Sequence, residues 1–192
     1  MIIRRERPCD IEAVHRLHDS VFSRAAGQPV AHTVESEILR RLRADEGAWL
    51  PKLSLVLAGG EDGPGPDGID GPAGPDGLAG HVVASRGLLD GSVPVLGAGP
   101  LAIRTEVQRT GLGTLLVNAA IAAAEALDEP LIVILGDPGY YRRHGFVLAA
   151  TMGVTPPVPE WAPHFQARPL ATYDPALHRG AFTYAPAFDA TV

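Results

Sequence analysis

The chain has 192 residues, 46% of them hydrophobic, and a formal net charge of −6 from 16 Lys and Arg against 22 Asp and Glu. That length supports one domain over 1–192 with a sizeable core, and the negative balance argues against a nucleic-acid partner. Cys9 is the single cysteine, which excludes an internal disulfide and fits a reducing, cytoplasmic setting. No apolar run approaches the roughly 20 residues of a membrane helix, and the charged start Arg4-Arg5-Glu6-Arg7 has no apolar signal core behind it.

In chain order, Met1 to Arg7 opens with two β-branched residues and predicts a short strand. Asp10 is placed to cap a helix over Asp10 to Phe22, in which Ile11, Val14, Leu17, His18 and Val21 recur at helical spacing. His15 and His18 lie three apart on it, but no cysteine or acidic cluster completes a metal set, so no metal is expected. A second helix fits Thr33 to Arg43, with Thr33 as cap and Glu35 and Glu37 in its first turn. Lys52 to Ala58 and Leu78 to Arg86 read as strands, and alternation puts His81, Val83 and Ser85 on one face of the latter. Between them, the 59–78 segment repeats glycine every third residue from Gly65 to Gly80, with interspersed prolines. Too few triplets are present for a triple helix, so a flexible loop insertion is expected.

Asp90-Gly91 signals a hairpin into a strand from Val95 to Ile103. Gly97, Gly99 and Pro100 interrupt that strand, which predicts a bulge and a local parting from a neighbour. Gly97 to Ala102 also spells G-x-G-x-x-A, but further strand residues follow it instead of a helix, so it is not a dinucleotide fingerprint. Leu112 to Leu127 predicts an alanine-rich helix, and Leu131 to Leu135 an apolar strand covered on both faces. Pro138 suits the first turn of a short helix over Gly139 to His144. The tail, 147–192, combines prolines with Trp161, Phe165, Tyr173, Phe182, Tyr184 and Phe188. It is expected to pack on the core, with strands near Gln166 to Leu170 and Ala181 to Tyr184, and to wall a pocket through Trp161, His164 and Phe165.

The most informative stretch is Gln108-Arg109-Thr110-Gly111-Leu112-Gly113, set between a strand and a helix. A helix start exposes unpaired N–H groups and partial positive charge, and glycine lets a ligand approach the main chain. A diphosphate over the amides of Arg109, Thr110, Gly111, Leu112, Gly113 and Thr114 would be held there, with help from the Arg109 guanidinium.

Gln108, Gly111 and Gly113 resemble the Q/R-x-x-G-x-G/A motif of the GNAT (GCN5-related) superfamily of N-acetyltransferases, and Tyr140 to Phe146 is similar to its Y-x-x-x-G-F segment. The fuller run, with Leu135-Gly136-Asp137-Pro138 and Phe165-Gln166, is similar to a bacterial branch of predicted acetyltransferases. The resemblance implies an α/β fold whose mixed, mainly antiparallel sheet of six to seven strands is flanked by helices, with strands four and five splayed. It implies acetyl-CoA as cosubstrate and a small-molecule or peptide amine as acceptor, and it leaves room for a homodimer. On that reading the cofactor-binding residues are Leu101, Ala102, Ile103, Gln108, Arg109, Thr110, Gly111, Leu112, Gly113 and Thr114, and Tyr141 is the catalytic acid. A phenol is protonated at neutral pH and can supply a proton to a departing thiolate. Tyr140 points about 100° away on a helix. A strand-four glutamate, the base in many relatives, is absent from Val95 to Ile103. Asp90, His81 and the second-helix glutamates stand as alternatives, and so does a CoA-binding module without catalysis.

Overall fold

The computed structural model of the chain describes residues 1–26, 32–59 and 76–191. Most of the glycine- and proline-rich insertion expected over 59–78 lies outside the described residues.

Strand β1 (Ile2–Arg5) enters antiparallel to β2 (Ser54–Ala58), and β2 pairs antiparallel with β3 (Leu78–Leu89). Between β1 and β2 the chain forms helices α1 (Ile11–Ala26) and α2 (Val34–Ala44). Asp10 ends a short turn before α1, where its carboxylate accepts from the Arg7 amide at 2.7 Å and from Arg4. Thr33 caps α2, its hydroxyl accepting from the Ser36 amide at 3.3 Å.

Asp90 and Gly91, with φ of 46° and 69°, make the tight turn from β3 into β4 (Val93–Ile103). Positive φ at both central positions matches the twist of a hairpin and explains the Asp-Gly pair. Helix α3 (Leu112–Glu125), strand β5 (Leu131–Leu135) and the short helix α4 (Pro138–Tyr141) follow. The last part of the chain supplies β6 (Val147–Leu148), β7 (Val154–Thr155), β8 (Phe165–Pro169) and β9 (Gly180–Thr183).

The main sheet runs β1-β2-β3-β4-β5-β8-β6, and every pairing along it is antiparallel except β4 with β5. Strand β9 adds to the far end of β3 through Leu88–Thr183 and Leu89–Phe182, and pairs parallel with β7. Among the described residues nine strands form where six or seven were expected. The difference lies in β6 and β7, each two residues long and too short for an alternating pattern to show. The tail therefore does more than lie on the core: β8 extends the sheet in register from Leu131–Pro169 to Leu135–Phe165.

Alternation distributes the core between two faces. Val56 and Val83 pack under α1 and α2 with Val14, Ile38, Leu39 and Leu42. Leu55, Leu57 and Val82 face α3 through Leu116. Strand β5 is covered on both sides, with Ile132 and Ile134 toward α3 and Leu131 and Val133 toward Phe165 and Phe182. Its unbroken apolar run follows from that double burial.

Candidate active site

Strand β4 treats its two neighbours differently. It pairs with β3 along its length, with a register shift between Val82 and Ala84 opposite Gly99-Pro100. With β5 it shares only Leu96–Ile132 and Gly97–Val133, and beyond Gly97 the two strands part. The Arg104 amide donates to the Ala79 carbonyl at 2.9 Å. In an antiparallel ladder successive residues alternate sides, so Ala102 directs its main chain toward β3, opposite His81. Leu101 and Ile103 direct theirs into the gap. Of the three β4 residues expected to offer main-chain groups to a cosubstrate, Ala102 is thus turned away and buried. The Gln108 side chain donates to the Ile103 carbonyl at 3.0 Å and closes that end of the gap, so Gln108 shapes the turn.

The turn itself puts Gly111 at the start of α3 with φ of 93°, a left-handed conformation that suits glycine, and without a side-chain cap. Arg109 also has positive φ, 62°, and projects into solvent. The Thr110 hydroxyl donates to the Val107 carbonyl at 2.7 Å, and Leu112 packs into the α3-side core. Around this helix start lies a cavity of about 650 Å³ bordered by Phe22, Arg109, Gly113, Thr114, Tyr140 and Arg143. A β-carbon on Gly113 would sit 2.8 Å from the Tyr140 hydroxyl, so a larger residue would fill the cradle. Arg143, whose guanidinium lies 5.3 Å from the Tyr140 ring centre, gives this cavity a second cation that the motif alone did not suggest.

Tyr141 is carried into the gap by the turn before it. Asp137 caps α4 by accepting from the Gly139 amide at 2.8 Å, and Pro138 occupies its first turn. Gly136 has no side chain because a β-carbon there would lie 2.4 Å from the Tyr141 ring. The ring packs edge-on to Phe146 at 5.6 Å and lines an apolar slot with Ala98, Leu101, Ile132 and Ile134. Burial, and to a lesser degree the neighbouring Tyr140, pushes its phenol up to about 12. The Tyr140 ring stands at 88° to that of Tyr141 and borders the helix-start cavity instead. The two adjacent tyrosines are sorted to different spaces by the helical turn.

A second cavity, about 380 Å³, opens on the other side of Tyr141. It is bordered by Phe22, Glu35, Tyr141, Trp161, Tyr184 and Phe188, and it shares Leu101 and Phe22 with the helix-start cavity. Trp161 is where the sequence reading put it. Phe165 is not: it is 1% exposed and packs on Phe182 in the core behind β5. Phe22 and Tyr184 were missed as site residues because nothing local marks them. A β-carbon on Gly97 would lie 2.9 Å from the Tyr184 ring, so that glycine gives the ring its place against β4. Burial, and secondarily Tyr141, raises the Tyr184 phenol as well.

The residues considered as a base separate clearly. The Asp90 carboxylate accepts from the Ala181 amide at 2.8 Å and anchors β9. Glu37 pairs with Arg40 and Arg41 on the surface. His81 is fully buried between His18 (2.9 Å) and Ser54 (2.9 Å), with the Glu6 carboxylate at 3.3 Å. Burial would raise Glu6, but hydrogen bonds from His81 and Ser54 and the charge of Arg43 outweigh it and lower the carboxyl to about 2. Burial lowers His18 and His81. Of these candidates Glu35 borders the second cavity. Among the described residues no group of three or more His, Cys, Asp and Glu is arranged to hold a metal ion, and no helix is long and apolar enough to cross a membrane.

A mainly antiparallel sheet with one parted parallel pair, an uncapped helix start at the mouth of the gap and a tyrosine inside it define the fold of the GNAT acetyltransferases. No family model and no curated protein matches the chain. Among solved structures, it is similar to the GNAT family N-acetyltransferase YhbS from Escherichia coli in complex with CoA, at 25% identity and a TM-score of 0.77, covering 98% of this chain and 91% of that one. A GNAT family acetyltransferase from Brucella melitensis in complex with acetyl-CoA is 27% identical, with a TM-score of 0.69 and coverage of 98% and 97%. The ribosomal-protein-S18-alanine N-acetyltransferase of Escherichia coli, at 13% identity and a TM-score of 0.56 over 90% and 96% of the two chains, shares the fold. The chain belongs to the GNAT superfamily.

Proposed function

We propose that this chain is an acyltransferase that moves the acetyl group of acetyl-CoA to an amine acceptor by direct attack. The observation that carries the reading is the parting of β4 from β5 immediately beside the uncapped start of α3. The CoA and acetyl-CoA complexes of the two most similar neighbours named above support it. The residues fit such a cosubstrate: a β-carbon on Gly113 would fill the cradle, and Leu101 and Ile103 present main chain to the gap. Amides from Arg109 to Thr114 would hold a diphosphate at the helix start, with Arg109 and Arg143 adding charge. Acetyl-CoA supplies the activated thioester.

The protein's own part is orientation and proton handling. The Leu101 amide on the open edge would donate to the thioester carbonyl oxygen, and a fixed donor in an apolar slot stabilises developing negative charge. Tyr141 keeps its proton at neutral pH because burial raises its phenol to about 12, and it hands that proton to the departing thiolate. Phe22 and Tyr141 exclude water where the two cavities meet. Calorimetry with acetyl-CoA and with desulfo-CoA tests the cosubstrate, both being expected to bind, and the absence of heat with either would reject the reading. One observation favours a second reading, a CoA-binding sensing module: β4 carries no carboxylate between Val95 and Ile103. Thiol release from acetyl-CoA over an amine panel separates the two, since the module would bind without turnover.

A further inference from the structure

The second cavity has a chemistry of its own. Five aromatic rings border it: Phe22 from α1, Tyr141 from α4, and Trp161, Tyr184 and Phe188 from the end of the chain. Trp161 and Tyr184 meet edge to face at 6.4 Å, and Tyr184 packs on Phe188 at 4.6 Å. Among the described residues, the one charged side chain on its border is Glu35, in the first turn of α2. Glu37 in the same turn is ion-paired with Arg40 and Arg41. Glu35 has no ion-pair or hydrogen-bond partner among the described residues and is only partly exposed.

A single unpaired carboxylate in an otherwise apolar, aromatic-rich pocket recognises a single positive charge on an apolar body. Ring faces attract a cation and stack flat on another ring. An acceptor with several hydroxyls or several ammonium groups would bury polar atoms without partners, which is costly. No Lys, Arg or His borders the cavity to meet a carboxylate, so a free amino acid is also disfavoured. The volume, about 380 Å³, lies within the range of small-ligand pockets. From this geometry we infer that the acceptor is a small arylalkyl primary amine without a carboxylate, its ammonium held by Glu35 and its ring stacked among Trp161, Tyr184 and Phe188. The inference rests on the acetyl-transfer reading for what happens next, but the binding step stands apart from it.

The test is calorimetric binding of 2-phenylethylamine, 2-phenylethanol, phenylalanine and spermidine, with and without desulfo-CoA. The amine is expected to bind at least about tenfold more tightly than the other three, the margin a charge-assisted hydrogen bond provides. Glu35→Gln is expected to bring the amine down to the level of the alcohol, and Glu37→Gln to leave it unchanged. Spermidine, phenylalanine or 2-phenylethanol binding as tightly as 2-phenylethylamine overturns the inference, as does an unaltered amine affinity in Glu35→Gln. Failure of these measurements with acetyl-CoA binding intact removes the acceptor class alone. Failure of acetyl-CoA to bind removes the transfer reading and leaves the amine measurements to decide this one.

Discussion

The two edges of β4 make an instructive contrast. Toward β3 the strand is paired from Val93 to Ile103 with one register shift, and against the same part of β3 lies a buried polar cluster that links Glu6, Ser54, His81 and His18 by hydrogen bonds, with the His18 Nδ1 left without a partner. Toward β5 it holds two rungs and then opens into a slot lined by apolar side chains and one phenol. A strand edge left unpaired inside a protein would ordinarily be a liability, because buried main-chain groups need partners. The closed edge fixes the strand so firmly that the open edge can wait for a guest.

The largest expected effect of breaking the open edge comes from its phenol. Tyr141→Phe keeps the ring that packs on Phe146 and removes the proton donor, so turnover should fall by roughly 10²- to 10⁴-fold, with acetyl-CoA affinity from calorimetry nearly unchanged. Equal turnover in the variant would retire the acid. A smaller effect is expected one step along the cosubstrate path. Gly113→Ala puts a β-carbon against the Tyr140 hydroxyl in the cradle. Overpacking of that kind costs about 2 kcal/mol of stability; acetyl-CoA affinity, read by calorimetry, should fall as the Tyr140 ring is displaced into the cavity, and unaltered binding would show that the helix start is not the anion site.

The closed edge should respond to acid instead. His18 and His81 are held below the ordinary imidazole value of 6.5 by burial. Below that pH the unfolded chain takes up protons that the folded chain refuses, so stability falls as pH drops through 6.5, by at most about 1.4 kcal/mol per pH unit for each ring. Glu6, lowered to about 2 from 4.5, adds a loss in the same direction only below about 4.5. Melting temperatures from pH 7.5 to 5 in the native protein and in His18→Phe measure this. The variant should show the shallower slope, and identical slopes would disconnect the histidines from acid sensitivity.

What the sequence made legible follows from how local each signal is. The Asp90-Gly91 turn, the interrupted β4, the glycine-rich helix start and the doubly buried β5 are all written within a few residues, and each occurs where its pattern predicts. Tyr141 and Tyr140 border different cavities because adjacent helix residues point about 100° apart. The second cavity was mostly hidden. The second-helix glutamates were marked, but Phe22, Tyr184 and Phe188 come from distant stretches, and the pairing of β9 with β3 and the packing of Ala185 and Ala187 on α2 bring the tail back beside them. Phe165 misled because an aromatic near the site and an aromatic under the sheet look alike in one dimension, and β8 alternation turns it to the far face.

The Gln108 amide that seals the Ile103 carbonyl has a further consequence. It ends the bare margin of β4 at one side as the Gly97–Val133 rung ends it at the other. At about 3.3 Å per residue the stretch between is roughly 20 Å long. The molecule thus carries an open margin of fixed length, closed by a side chain at one end and by a main-chain rung at the other.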